Sequence, residues 1–151
     1  MDEQPNLRNF VDEISSFSEE ASAPRRASGP VADLPPIGKV VEIAGSGSSI
    51  RMDAAALASL QSDSDPSVTM SGQVGSQVKM VVGNSWLIAN VRTLRAEPSG
   101  ELVANVDFLG EGNRDSVGTL SKFLRGVTRF PMPGSDVLPV TTDDLRAIFA
   151  A

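Results

Sequence analysis

Six short segments in which apolar and polar residues alternate constrain the fold of this chain most. Alternation of this kind is typical of strands with one buried face, because successive side chains point to opposite sides of a sheet. The run at 54–61, which is rich in Ala and Leu, is long enough only for one or two helical turns. The pattern predicts an all-β fold, namely a small closed β-barrel of about six strands. The predicted strands cover residues 37–43, 49–53, 74–82, 86–94, 101–109 and 136–140.

The connections between the predicted strands are rich in turn residues. Gly-Ser-Gly at 45–47, Gly-Asn-Ser at 83–85 and Glu-Pro-Ser-Gly at 97–100 predict tight turns between antiparallel neighbours. After the last strand, Thr141 and Asp144 have the spacing of a capping box, in which each residue bonds the backbone of the other. This spacing predicts a short C-terminal helix that runs through Phe149.

Residues 1–36 differ from the body of the chain and predict an acidic leader. They hold three Arg and seven Asp or Glu, a net charge of −4, whereas residues 37–151 carry −2. Residues 21–36 are rich in Ala, Ser and Pro and predict a flexible linker. The predicted domains are therefore the leader, 1–36, and the barrel, 37–151. Within the leader, five apolar residues at helical spacing predict a short N-terminal amphipathic helix: Leu7, Phe10, Val11, Ile14 and Phe17.

The apolar stripe of this helix needs a surface that covers it, because a lone helix of about three turns is marginal in water. Three outcomes remain open. The helix docks back on its own assembly, it stays unfolded, or it inserts into a groove on a partner protein while the linker acts as a tether. In the third case the five stripe residues are the candidate partner-docking residues, and their acidic surroundings suit a partner with a basic surface.

The composition excludes most enzyme chemistry in this chain. It contains no His and no Cys, which removes thiol nucleophiles, imidazole acid–base catalysis and the usual Cys/His zinc sites. The Gly-Ser-rich run at 45–49 lacks the Gly-Lys-Ser/Thr of a phosphate loop and is interpreted as a hairpin turn. Residues 63–65 lack the later Gly and Glu of a calcium loop and are interpreted as part of a solvated polar loop at 63–67. We expect no catalytic residue, bound cofactor or metal here, and we interpret the carboxylates of Asp143 and Asp144 as favouring helix initiation.

Four segments, in this order along the chain, carry a resemblance to a known family. They read I-G-K-V-V from Ile37, V-G-S-Q-V-K-M from Val74, F-L-R-G-V-T-R-F-P-M-P-G from Phe123, and T-D-D-L-R-A-I-F from Thr142. Together they resemble the N-terminal barrel, or HAS-barrel, of HerA-type hexameric ATPases, which are DNA translocases. The resemblance covers about residues 37–149.

The resemblance implies a barrel that caps one face of a six-fold ring and offers a docking platform to a partner. That partner would be a NurA-type nuclease or a defence-associated effector, and DNA would be reached only through the assembled ring. Within its third motif, Arg125, Gly126, Arg129 and Phe130 are candidates for a contact between subunits, in which one or both arginines pair with carboxylates of a neighbouring barrel. The alternative is that the arginines are ordinary surface residues before a turn and that Gly126 supplies only a backbone angle. One departure is that Ser135 occupies the position where the family has an acidic residue, which is displaced to Asp136, one position later.

The motor of such a protein, with its ATP and Mg²⁺, would lie downstream of the last motif, outside these 151 residues. The alternative interpretation is a stand-alone small barrel that binds a peptide or another ligand. An oligonucleotide-binding barrel would normally show exposed aromatic residues among Lys and Arg, whereas this chain has one Trp and no Tyr. The chain has no apolar run long enough for a membrane span and no basic signal sequence, so a cytoplasmic protein is expected.

Overall fold

A computed structural model describes residues 34–150, which fold as a closed β-barrel with short helices. The strands are β1 Gly38–Ala44, β2 Gly47–Met52, β3 Gln77–Val82, β4 Ser85–Ala96, β5 Leu102–Arg114, β6 Leu120–Arg125 and β7 Asp136–Pro139. The helices are α1 Ala54–Ser59, α2 Pro66–Thr69 and α3 Thr142–Phe149, and a 3₁₀ turn covers Leu60–Ser62. No helix among these residues is long and apolar enough to span a membrane.

Six of the strands close into the barrel. Each pairs antiparallel with its neighbours in the order β1, β2, β5, β4, β3 and β7, and β7 pairs again with β1. Closure leaves no free edge in the ring, so all of its strands are protected from pairing with other chains. The predicted all-β barrel of about six strands is therefore confirmed.

Strand β5 belongs both to the barrel and to a second pairing outside it. Its first half pairs with β2 as far as Asp107, opposite Gly47. Beyond that point the register against β4 shifts, with Ala89 opposite Phe108 and Ile88 opposite Gly110, so that Leu109 is the extra residue of a bulge. From Gly110 onward the strand pairs with β6 instead of β2.

Two clusters of buried residues lie on opposite sides of this sheet. The interior of the barrel is aliphatic, as the alternation predicts, and is filled from all six ring strands by residues such as Val40, Ile50, Val78, Leu87 and Val106. The second cluster lies outside the ring, beneath α3 and β6. It contains Trp86, Ile88, Leu120, Phe123, Val140 and Ile148.

The second cluster corrects one expectation about β4. The alternation of Leu87, Ala89 and Val91 predicts a half-buried strand, whereas Trp86 and Ile88 on its other face are buried as well. The reason is tertiary: β6 and α3 cover the outer face of β4 here, and the segments that cover it are distant in sequence.

Other boundaries also differ from the expectation. Strand β3 begins at Gln77 and not at 74, because Gly72 and Gly75 adopt φ of 85° and 93° and turn the chain before it. Part of the expected polar loop at 63–67 forms α2, with Asp65 as its N-cap. Strand β6 was not predicted, since its sequence was interpreted only as the start of a family motif. The capping box of α3 is confirmed, and the predicted leader helix lies outside the described residues.

Candidate functional site

The motif that follows β6 forms a connection across one end of the barrel, which we call the strap and define as residues 126–135. Gly126 begins it with φ of 97°, a conformation that favours glycine. The N–H of Gly126 donates to the carbonyl of Leu109 over 3.2 Å, and the side chain of Val127 packs against the barrel core. At the far end, the N–H of Gly134 donates to the carbonyl of Val40 over 2.7 Å. The strap is thus fastened to β5 and to β1.

The carboxylate of Glu111 holds the middle of the strap. One of its oxygens accepts the backbone N–H of Thr128 over 2.6 Å, and the other accepts the hydroxyl of Thr128 over 2.8 Å. These bonds to the charged form, together with the nearby guanidinium of Arg129, lower the pKa of Glu111 below its ordinary value of 4.5, although its slight burial acts the other way.

We predict that this attachment weakens in acid. Because the folded pKa of Glu111 is lowered, its contribution is fully present above the unfolded value, near 4.5, and is lost as the pH falls through the folded pKa. The protection factor of the Thr128 amide, which is the intrinsic exchange rate at each pH divided by the observed rate, should therefore decrease in the wild type as the pH falls below about 4.5. In Glu111→Gln, which keeps an acceptor but no charge, the protection factor should already be lower at pH 7 and should vary less between pH 3 and 6. Equal pH profiles in both proteins would contradict the assignment.

Of the four residues expected at a subunit contact, one ends β6 and the other three lie in the strap. The guanidinium of Arg129 lies over Gly83, with Nη2 3.4 Å from the hydroxyl of Ser85. The ring of Phe130 packs on Phe108, with 5.7 Å between centroids, and remains 48% exposed. Arg125, the last residue of β6, is exposed and forms no ion pair within residues 34–150.

The register places part of this surface on one face of the sheet. Leu124 lies opposite Glu111, and Glu111 lies opposite Leu87 on β4, so these side chains share a face. The bulge at Leu109 keeps Phe108 on that face too, since Phe108 lies opposite Ala89. Leu124 and Met132 are 73% and 71% exposed, which is unusual for large apolar side chains. Arg125 lies opposite Gly110, which lies opposite Ile88 on β4, so its side chain points to the other face of the sheet.

A buried ion pair lies beneath α3. Lys79 of β3 and Asp144 of α3 are both fully buried, and Nζ of the lysine is 2.6 Å from Oδ2 of the aspartate. The same carboxylate accepts the N–H of Leu120 on β6 over 3.0 Å and the N–H of Thr141 over 3.1 Å. Asp144 therefore joins β3, β6 and the start of α3 through one side chain.

The indole of Trp86 completes the surroundings of the lysine. Nζ of Lys79 lies 4.4 Å from the centre of the ring, a cation–π distance, and the indole N–H donates to the carbonyl of Gly118 over 2.9 Å. Burial lowers the pKa of Lys79, while the charge and hydrogen bond of Asp144 oppose that effect. Through this contact the two groups hold the start of α3 against β3.

The sequence interpretation missed this ion pair. It used Lys79 only as part of a family motif and gave Asp144 only a role in starting the helix. The side chain of Lys79 points away from the barrel-facing side chains of Val78 and Met80 on the same strand, and the capping box of α3 is present. What the alternation could not indicate is that α3 covers this outer face and brings the two charges together.

The two segments that the sequence analysis rejected as phosphate and calcium loops have structural roles, but one of them differs from the expectation. Residues 45 and 46 form the tight turn of the β1–β2 hairpin, as expected. Asp65, by contrast, is half-buried. Its carboxylate accepts the N–H and the hydroxyl of Thr142 over 3.0 and 2.6 Å. Burial alone would raise the pKa of Asp65, but these bonds, together with those from the backbone N–H groups of Ser67 and Val68, lower it. It therefore ties α2 to the first turn of α3.

An open cleft of about 590 Å³ lies beside β1, between β2 and the end of the strap. Four of its five charged side chains form two ion pairs, and the fifth, Asp53, accepts the N–H of Ala55 at the start of α1. Lys39 contacts Asp136 at 2.7 Å, and Arg51 contacts Glu101 at 3.2 Å. With its charges satisfied in this way, the cleft offers little that would orient a polar ligand.

The five predicted docking residues of the leader lie outside the described residues, so the structure brings only the strap residues together. Comparison of the sequence with models of protein families and with curated proteins finds no match.

Proposed function

We propose that this chain is the ring-capping and partner-docking barrel of a HerA-like hexameric ATPase that translocates DNA in the cytoplasm. The barrel itself would be without enzymatic activity. The ATP, the Mg²⁺ and the catalytic residues would belong to a motor domain that follows α3. A NurA-type nuclease or a defence-associated effector would dock on the assembled hexamer.

The observation that carries the proposal is the contact between two of the motifs. Lys79 comes from the V-K-M segment and Asp144 from the D-D-L segment, which are 65 residues apart, and they form the buried ion pair. If the likeness of these two segments to the family were accidental, there would be no reason for the lysine of one segment and the aspartate of the other to meet in the core. This contact supports the view that the motifs describe one structural unit.

The third motif supports the proposal in the same way. In R-G-V-T-R-F, Gly126 supplies the positive φ, Val127 packs inward and Thr128 is bound by Glu111. The residues left for external contacts are Arg125 and Phe130, together with part of Arg129. These two cations and the aromatic ring suit contact with acidic side chains of a neighbouring barrel.

The alternative function, a stand-alone binding barrel, has little support where the ligand would be a nucleic acid. Trp86, the only tryptophan of the chain, is 3% exposed and packs against Lys79, so it cannot stack on a base. A peptide-binding barrel stays the alternative function. The coding sequence that follows residue 151 discriminates between the two: a G-x-x-G-x-G-K-[ST] loop supports the ATPase, and a stop codon at once supports the stand-alone barrel.

We predict that Arg125→Ala with Arg129→Ala weakens assembly of the full-length protein without unfolding the barrel. The circular dichroism spectrum should match that of the wild type, because neither guanidinium is buried. On gel filtration at decreasing concentration, the variant should dissociate from the hexamer earlier. The matched control is Arg92→Ala with Arg95→Ala, which removes two exposed arginines from β4. Equal dissociation of variant and control would contradict a role of the strap in assembly.

A further inference from the structure

Strand β4 extends beyond the closed ring on the side of β3. The pairing of β3 with β4 reaches only as far as Asn90, after which Gly75 and Ser76 add two backbone bonds to Val91. The last residues of β4 pair with β5 on one side, and no strand within residues 34–150 pairs with them on the other. We call these residues, 93–96, the β4 edge. They are all exposed.

The register of β5 shows which backbone groups of this edge are unpaired. Alternate residues of a strand direct their backbone bonds to opposite neighbours. The N–H of Phe108 donates to the carbonyl of Ser46, on the side of β2, and the register of β5 with β2 is uninterrupted. The even-numbered residues of this stretch therefore bond toward β2, and the odd-numbered ones, which include Val103 and Asn105, bond toward β4.

This pattern leaves two residues of β4 with free backbone groups. Thr93 and Arg95 lie opposite the two odd-numbered residues of β5 and bond to them. Leu94 and Ala96 therefore direct their N–H and C=O groups away from β5, where the described part of the chain offers them no partner. The β4 edge thus presents two donors and two acceptors, with about 7 Å between successive residues of the pair.

Backbone groups in this arrangement match one more extended chain. An added strand supplies a donor and an acceptor at every second residue, which is the spacing that the edge presents. The outer edge of β6 differs in this respect. Lys122 interrupts it with φ of 55°, and the N–H of Leu120 at its start is bound by Asp144. The β4 edge is therefore the better site for strand addition.

The side chains around the edge define the chemistry of its occupant. Leu94 lies opposite Ala104, which is buried in the barrel core, so a residue added beside Leu94 points to the same apolar face. Thr93 and Arg95 point to the outer face, and the guanidinium of Arg95 is already paired with Glu97 at 3.1 Å. The edge thus suits an uncharged segment in which apolar and polar residues alternate.

We propose that the β4 edge binds an extended, uncharged segment of a partner protein, which joins the sheet as a further strand. The added strand continues the line of β3 and, like β3, runs antiparallel to β4. Two of its apolar residues lie opposite Leu94 and Ala96 and exchange backbone hydrogen bonds with them. This docking does not depend on a ring of barrels, and it is tested on the single chain.

The test titrates the ¹⁵N-labelled full chain with a peptide of sequence Thr-Val-Thr-Val-Thr that has blocked termini. The expected result is a saturable shift of the amide signals of residues 93–96 and of the adjoining residues 73–76, with the signals of residues 120–125 in β6 unchanged. The protection factors of the Leu94 and Ala96 amides should rise with bound peptide. Absence of a saturable shift at the β4 edge, or equal shifts in β6, overturns the proposal.

Two methylated peptides test the direction of the hydrogen bonds. In the proposed antiparallel pairing the two valines direct their N–H groups to β4, whereas the central threonine directs its N–H to solvent. Methylation of both valine amides should therefore abolish binding, and methylation of the central threonine amide should leave it. Equal binding of the two methylated peptides, or the reverse order, overturns the proposed pairing.

A variant of the edge completes the test. Leu94→Pro removes the outward N–H but keeps the ladder with β5, because this N–H takes no part in that ladder. It should abolish peptide binding, whereas the control Leu94→Ala, which keeps the N–H, should still bind. Equal binding by the two variants overturns the proposal, and the methylated peptides decide if the proline variant does not fold. Without peptide, protection of Leu94 and Ala96 that rises with protein concentration would assign the edge to a second copy and overturn the partner assignment.

Discussion

Replacing Asp144 by alanine should destabilise the barrel more than the other charge substitutions proposed for it. The change leaves Lys79 buried without its partner, removes the acceptor for two backbone N–H groups and breaks the capping box of α3. Removal of one partner of a buried ion pair costs about 3–5 kcal/mol, which is a large part of the 5–15 kcal/mol by which domains are typically stable. Urea unfolding followed by circular dichroism measures the effect.

The neighbouring residue provides the matched control. Asp143 is also in the first turn of α3, but its side chain is 68% exposed and pairs only with Arg146 at the surface. Asp143→Ala should therefore change the free energy of unfolding by at most about 1 kcal/mol. If the Asp144→Ala protein does not fold at all, Lys79→Met can be measured instead. It should cost less, because the carboxylate keeps its two N–H donors. Similar losses for the Asp143 and Asp144 variants would show that the ion pair is unimportant.

Replacing Gly110 by valine should detach β6 from β5. A side chain at this position would overlap the carbonyl oxygen of Leu124 and the ring of Phe123, both on β6. Overpacking of this kind costs about 1–3 kcal/mol, and more where backbone atoms are in the way. Because β6 pairs with β5 alone and is not part of the closed ring, the damage should be local.

Hydrogen exchange distinguishes local from global damage in this variant. Amides of β6 and of the strap should lose protection, while those of β1 and β2 keep it. Ala96→Val is the control, because it introduces the same side chain at an exposed position of β4. If the Gly110→Val protein keeps the protection of β6, the close approach of the two strands has been overestimated.

The barrel was predictable because its signal is local. Alternation along each strand reports which face is buried, and the turns that join β1 to β2, β3 to β4 and β4 to β5 lie within a few residues of the strands they connect. The capping box of α3 is local in the same sense, since Thr141 and Asp144 are three residues apart.

The parts that were missed depend on contacts between distant segments. Strand β6 has no alternation that separates it from a loop, and it forms because Gly110 and Gly112 let it approach β5 closely. Lys79 is buried only because α3 returns over β3 after 65 residues. For the strap, the sequence predicted which residues belong to the motif. It did not predict that Glu111, 17 residues earlier, would hold Thr128.

The position of Asp144 also has a mechanical consequence. If a motor follows α3, its movements reach the barrel through Phe149 and the axis of this short helix. At the other end of the helix the load passes from one carboxylate to β3 through Lys79 and to β6 through Leu120. These bonds share the force between two strands, so a pull on the helix does not simply peel β7 away from its neighbours. The barrel is thus built to move with its C-terminal helix as one body.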